Sequence, residues 1–75
     1  MKELVLFVAR GLADKPDAVS VTEVRDGGAL VLRVAVDEAD KGKLIGRQGK
    51  VVKALRALVD AASRRAGVRT VVEID

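Results

Sequence analysis

The stretch that decides the fold of this 75-residue chain is Gly42-Lys43-Leu44-Ile45-Gly46-Arg47-Gln48-Gly49-Lys50. Two glycines at G-x-x-G spacing allow a tight turn and the close approach of a second backbone, because neither carries a Cβ atom. Between them stand a cation and a hydrogen-bonding amide, and a lysine lies on either side. This combination is typical of a surface that meets a sugar-phosphate backbone.

The charge distribution supports that interpretation. Residues 1–40 carry five cations and eight anions, whereas residues 41–69 carry nine cations and one anion, Asp60. The glycine turn lies in the basic half. Clustered cations of this kind indicate a polyanionic partner.

The composition disfavours most enzymes. The chain contains no cysteine and no histidine, and one or other of these side chains serves as base, nucleophile or ligand in most hydrolytic and metal chemistry. A nucleotide-binding P-loop is excluded by spacing, since the positions five and six residues after Gly42 hold Arg47 and Gln48 instead of glycine and lysine. We therefore expect no catalytic residues, no metal site and no cofactor.

Residues 1–75 are short enough to form one domain around one core. The N-terminal apolar run covers only residues 4–9 before Arg10 interrupts it. It is shorter than a signal-peptide core or a membrane span. The sequence thus predicts a single cytoplasmic domain.

The first half of the chain shows one helical and two strand patterns. Helical spacing of apolar residues predicts a helix over residues 2–13, with Phe7, the only aromatic residue, in the core. Alternation predicts strands over 18–25 and 29–36, joined by a hairpin turn at Asp26-Gly27-Gly28. The apolar residues on which these patterns rest are Val5, Val8, Ala9, Leu12, Val19, Val21, Val24, Leu30, Leu32, Val34 and Val36.

The second half predicts two helices around the glycine turn. Asp37 is placed as the N-cap of a short helix over 38–44, with Asp40 in the position of a capping box. A long helix over 49–66 follows, and Gly67 suits the position just past its end. Its buried stripe is predicted to contain Val51, Val52, Leu55, Leu58, Val59 and Ala62.

A last strand over 69–75 completes the order α-β-β-α-α-β. The two strands that flank the helix pair are joined by a long crossover, so we expect them to be parallel and the connection to be right-handed. The predicted fold class is α+β, a three-stranded mixed sheet with three helices on one face.

The segment Leu44–Val52 resembles the signature of the KH (K-homology) RNA-binding domain, an aliphatic-Ile-Gly-x-x-Gly-x-x-aliphatic pattern. The extra helix and strand precede the signature, an order that resembles the type II arrangement. The whole chain is most similar to the small bacterial stand-alone KH proteins of the KhpA (YlqC-like) family, with the segment Asp40–Gly49 as the closest match.

This resemblance implies an RNA-binding protein, an RNA chaperone or post-transcriptional regulator. The loop from Gly46 to Gly49 would contact the phosphates of a four-nucleotide single-stranded segment. Cationic side chains would neutralise phosphates, the amide of Gln48 would donate a hydrogen bond, and Ile45 would line an apolar floor for bases. The candidate RNA-binding residues are Lys43, Ile45, Gly46, Arg47, Gln48, Gly49, Lys50 and Lys53.

The resemblance also implies homodimers, or heterodimers with a larger KH-containing protein of the KhpB (Jag/EloR-like) type. A protein-interaction module is therefore the alternative to an RNA-binding one. The residues leave further alternatives open. The glycines fit a plain turn between helices, and Lys53 and Arg56 fit a solvated helix face, as do Arg64, Arg65 and Arg69 near the end of that helix.

Overall fold

A computed structural model describes all residues 1–75. Its regular elements are α1 (Lys2–Leu12), β1 (Ser20–Asp26), β2 (Ala29–Ala35), α2 (Lys41–Ile45), α3 (Lys50–Ala66) and β3 (Arg69–Ile74). Short 3₁₀ turns cover Pro16–Ala18, Glu38–Asp40 and Arg47–Gly49. The order confirms the predicted α-β-β-α-α-β arrangement, with no boundary shifted by more than three residues.

The sheet has the order β1-β2-β3. β1 and β2 are antiparallel, with Val21 opposite Val34 and a turn at Gly27-Gly28, where Gly27 has φ 62°. β2 and β3 are parallel, with Leu32 opposite Val72. The mixed sheet predicted from the sequence is confirmed.

One face of the sheet packs against the helices. Leu32 and Val34 are fully buried, because β2 is central and its alternating apolar residues point toward the helical layer. The core joins every helix and strand through Val5, Ala9, Val19, Val21, Leu32, Val34, Leu44, Leu55, Val59 and Val72. No helix is both long enough and apolar enough to span a membrane.

Two assignments to the core were wrong. Phe7 is 78% exposed, because it lies on the side of α1 opposite the buried Val5 and Ala9. Leu58 is 55% exposed, at the edge of the stripe that α3 buries. Val24, which the sequence placed in the strand without assigning it to the core, lies on the opposite face of β1 from Val21, because an offset of three positions reverses the face of a strand.

The buried stripe of α3 also contains a polar residue that hydrophobic spacing did not reveal. Ser63 is buried, and its hydroxyl donates a 2.7 Å hydrogen bond to the carbonyl of Val59. The helix ends as predicted, since Gly67 is left-handed with φ 72° and the N–H of Val68 donates to the carbonyl of Ser63.

Candidate nucleic-acid interface

The loop between α2 and α3 depends on glycine at both ends. Gly46 has φ 76° and ψ 169°, and Gly49 has φ 74°, so both have backbone conformations that other residues rarely adopt. Gly46 also lacks space for a side chain, because a Cβ atom there would lie 2.8 Å from both the Cβ and the backbone nitrogen of Val51. The first glycine therefore allows α2 and α3 to approach, and the second sets only the direction of the chain.

The tip of the loop is open to solvent. Arg47 and Gln48 are both exposed, and Gln48 is the one non-glycine residue of the chain with a positive φ, 58°. A 3.0 Å hydrogen bond from the N–H of Gly49 to the carbonyl of Gly46 closes the turn beneath them. The cation and the amide thus project from a backbone that is held in place.

A buried carboxylate fixes α2 from the other side. Asp40 is 1% exposed and accepts hydrogen bonds from the backbone N–H groups of Asp14 (3.1 Å) and Lys15 (3.0 Å). The predicted capping box was therefore wrong, because this side chain bonds the segment after α1 instead of the start of its own helix. The contact ties the end of α1 to the helix that leads into the loop.

Asp37 acts as the N-cap that its position predicted. Its carboxylate accepts a 3.0 Å hydrogen bond from the N–H of Ala39 and pairs with Lys15 at 3.4 Å. These two contacts, the backbone hydrogen bond first, hold the pKa of Asp37 below its ordinary value of 3.8 against a smaller opposing effect of desolvation.

The candidate RNA-binding cations differ in whether they form an ion pair within the chain. Lys43 forms an ion pair with Asp14, so a phosphate at this lysine competes with an internal carboxylate. Arg47, Lys50 and Lys53 are exposed and form no ion pair in the structure. Among the candidate RNA-binding cations, the positive charge without an internal partner therefore lies in the loop and in the first turn of α3.

A groove between α3 and β3 continues from the loop. The Cε atom of Lys53 lies 3.8 Å from the position of a Cβ atom on Gly49, and the same lysine lines the groove. The groove encloses about 500 Å³. We call it the α3–β3 groove; its lining residues are Lys53, Arg56, Ala57, Val59, Asp60, Arg69, Thr70, Val71 and Val72.

Two arginines of this groove were not recognised as site residues from the sequence. Arg56 donates through Nε to the carbonyl of Val72 at 3.3 Å, a contact that joins α3 to β3. Arg69 lines the groove from the first position of β3. The predicted topology could have identified Arg69, because a parallel crossover places the start of β3 beside the helix that precedes it.

Comparison with known proteins assigns the family. The family model described as the KH domain of KhpA and KhpB matches residues 2–74 of this chain. The chain belongs to the KhpA/KhpB KH-domain family.

Curated relatives in the KhpA/KhpB family align along nearly their full length. The RNA-binding protein KhpA of Clostridium perfringens is 45% identical over 74 residues, which cover 99% of each chain. The protein of the same name from Caldanaerobacter subterraneus subsp. tengcongensis is 42% identical with the same coverage. That of Aquifex aeolicus is 40% identical over 99% of this chain and 94% of its own length.

Within this KhpA/KhpB fold, the eight predicted site residues do not form one uniform surface. Residues 46–50 form a continuous exposed or half-exposed loop, and Lys53 extends it into the α3–β3 groove. Ile45, at the end of α2, is 42% exposed, so its side chain is available beside the loop. Lys43 is instead drawn toward Asp14.

Proposed function

We propose that this chain binds single-stranded RNA, with the phosphates on the Gly46–Gly49 loop and the bases in the α3–β3 groove. The observation that carries the proposal is the exposed pair Arg47 and Gln48 on a turn that two left-handed glycines hold open. The family and the names of the curated relatives agree with it.

The loop supplies the phosphate contacts. Arg47, Lys50 and Lys53 are unpaired in the structure, so no internal ion pair has to break when they meet a phosphate. The N–H groups in the first turn of α3 have no acceptor within their own helix, and the positive end of the helix dipole favours an anion there. Gln48 adds an amide donor at the tip.

The groove supplies the base contacts, and it contains no aromatic residue. Phe7, the only aromatic side chain, lies on α1 and is not among the residues that line the groove. Base stacking on aromatic rings contributes about 1–3 kcal/mol per base in single-strand binders. Binding without it depends on phosphate charge, and roughly four neutralised phosphates give a slope of log K against log salt of about −3.

Weak, charge-driven binding suits a protein that acts on many transcripts. We place the chain in the cytoplasm as an RNA chaperone or post-transcriptional regulator, a single KH domain over residues 1–75 without a cofactor. A chaperone of this kind accelerates the annealing of unrelated complementary RNA pairs to similar extents, and Arg47→Asp/Gln48→Asp removes that acceleration.

Backbone amide NMR tests where RNA binds. Titration with an unstructured RNA of mixed sequence at low salt is expected to shift the amides of residues 46–53 and 69–72. The outer face of the sheet around Thr22 and Val24 is the internal control and is expected to stay unchanged. Shifts confined to that outer face, or absent at millimolar RNA, contradict the proposal.

A second function, association with other KH proteins, is favoured by a specific observation. Two large apolar side chains, Phe7 and Leu58, are 78% and 55% exposed. We propose homodimers or heterodimers with a larger KhpB-type (Jag/EloR-like) protein as the alternative or accompanying role. The mass at which the protein elutes in gel filtration, measured with and without RNA, separates the protein-interaction function from the RNA-binding function. A protein-interaction module associates equally in both conditions.

A further inference from the structure

The α3–β3 groove contains one planar side chain that the structure holds in place. Arg56 lines the groove and donates from Nε to the backbone carbonyl of Val72, at 3.3 Å. Nε lies within the plane of the guanidinium group, so this hydrogen bond is made at the edge of the plane and does not cover its faces. The side chain is therefore fixed at one end by α3 and at the other by β3.

No carboxylate competes for this guanidinium group. Arg56 forms no ion pair, and the only acid of α3, Asp60, is paired with Arg64 at 2.9 Å. The two Nη atoms of Arg56 form no hydrogen bond within the chain. The residue is also exposed, so a ligand can reach it. A ligand on its face displaces no internal ion pair.

The other cations of the groove lack this arrangement. Lys53 carries an ammonium group, which is a compact, strongly hydrated point charge without a flat face. Arg69 has a flat guanidinium group, but its side chain forms neither a hydrogen bond nor an ion pair. Arg56 is thus the one planar cation of the groove whose orientation an internal contact holds.

Apolar side chains lie beside Arg56 in the same groove. Ala57, Val59, Val71 and Val72 line it together, and Val59 and Val72 belong to the core. These side chains offer a surface to the apolar parts of a base. A guanidinium group is more weakly hydrated than an ammonium group, so a base that covers its face displaces loosely held water.

The distance from the loop to Arg56 suits a short RNA segment. Arg56 lies seven residues after Gly49, which is about 10 Å along the axis of α3. A KH loop clamps four nucleotides. Successive phosphates of one strand are about 3.4 Å apart along a stacked duplex, so even a compact four-nucleotide segment extends over about 10 Å. One strand can therefore contact the loop and Arg56 together.

We infer that the guanidinium plane of Arg56 stacks on a base of the bound strand and takes the place of the aromatic ring that the groove lacks. Unpaired bases stack on arginine planes as well as on aromatic side chains. Every base has a π face, so this contact favours unpaired bases over duplex or bare backbone and depends little on which base is present. The inference rests on the proposed RNA binding and adds a base contact to the phosphate contacts of the loop.

Titration with two short strands of equal length and charge tests the inference. One is oligoadenylate, and the other is a stable abasic analogue that carries phosphates without bases. Arg56→Lys keeps the positive charge and removes the plane, so it is expected to weaken binding of oligoadenylate about fivefold and to leave binding of the abasic strand unchanged. Arg65→Lys is the matched control, an exposed arginine of α3 outside the groove, and is expected to change neither affinity.

A second pair of variants removes the structural effect of the contact with Val72. Arg56→Tyr and Arg56→Ala both lose the hydrogen bond and the charge, and only the tyrosine has a flat face. Arg56→Tyr is expected to bind oligoadenylate at least fivefold more tightly than Arg56→Ala, and the two are expected to bind the abasic strand equally. Urea denaturation of all variants establishes that each titration is made on folded protein.

The outcomes separate this inference from the proposed RNA binding. Equal losses on both strands in Arg56→Lys indicate a phosphate contact or a structural role, and overturn the inference. An Arg56→Tyr variant that binds oligoadenylate no better than Arg56→Ala overturns it as well. Neither result affects the phosphate contacts proposed for the loop. A wild type that binds neither strand overturns both proposals, and the wild-type titration alone reveals it.

Discussion

Gly46 lies against Val51 so closely that a Cβ atom on the glycine would be 2.8 Å from the backbone nitrogen of the valine. Gly49, three residues later, has a similar φ but only ordinary contacts, the nearest being the Cε of Lys53 at 3.8 Å. The two glycines of one motif are thus required for different reasons: close packing and backbone direction at the first, and backbone direction alone at the second.

This difference predicts unequal losses of stability. Gly46→Ala combines backbone strain with a steric overlap that pushes α3 from α2, and is expected to lower the free energy of unfolding by about 3 kcal/mol or more. Gly49→Ala carries only the cost of a left-handed non-glycine residue, about 1–2 kcal/mol. Urea denaturation measures both, and equal losses contradict the role assigned to the contact with Val51.

The buried carboxylate of Asp40 predicts a second stability effect. Asp40→Ala removes the acceptor of two part-buried hydrogen bonds from the N–H groups of Asp14 and Lys15, and a hydrogen bond to a charged group contributes about 1.5–3 kcal/mol. Hydrogen exchange of these two amides is expected to accelerate more than that of the core of β2. Asp40→Asn keeps one acceptor oxygen and is expected to lose less; a loss as large as that of the alanine variant speaks against the hydrogen bonds as the cause.

The ion pair between Asp14 and Lys43 predicts a gain in RNA affinity when the acid is removed. Asp14→Asn frees the lysine for phosphate and is expected to strengthen RNA binding about threefold at low salt, with stability changed by less than about 1 kcal/mol. Glu73→Gln is the matched control, since it also removes one negative charge and one exposed ion pair, with Arg33 on the outer sheet face. Equal gains in RNA affinity in both variants indicate that the change in net charge alone, and not the release of Lys43, strengthens binding.

Asp37 predicts a pH-dependent contribution to stability. Its pKa is lowered in the folded chain, so the unfolded chain binds the proton more tightly, and the contribution is complete above the ordinary value of 3.8. It is lost as the pH falls through the lower, folded pKa. Wild type is expected to exceed Asp37→Asn in stability at neutral pH, with the difference narrowing as the pH falls below the ordinary value of 3.8. Asp17→Asn, a change at another carboxylate in a 3₁₀ turn, is the control; a difference for Asp37→Asn that does not narrow as the pH falls below 3.8 contradicts this role.

The elements of the fold were predictable because their signals are local. Gly27, Gly46, Gly49 and Gly67 adopt positive φ values where the sequence predicted turns or a helix end. The alternation of β2 placed Leu32 and Val34 in the core correctly. A short chain with one apolar face per element has few other ways to bury these residues.

The errors come from features that depend on tertiary contacts. Phe7 was assigned to the core by residue type, although its place on the α1 wheel is opposite Val5. Asp40 was assigned to a local cap, because its partners lie 25 and 26 residues away in sequence. The role of Arg69 was left open, with a solubilising charge as one alternative, since only the packing of β3 beside α3 shows that it lines a groove.

The most direct test of the central claim is a salt-resolved RNA titration of wild type against Arg47→Asp/Gln48→Asp. Both positions are exposed, and aspartate tolerates the positive φ of Gln48, so the variant is expected to remain folded. Ala61→Asp/Arg65→Asp, at two exposed positions of α3 that do not line the groove, changes the net charge equally and serves as the control.

The account predicts that wild type and the control bind with a slope of log K against log salt near −3, while the folded loop variant loses binding. A folded loop variant that binds as tightly as the control, at every salt concentration, contradicts a function in the Gly46–Gly49 loop.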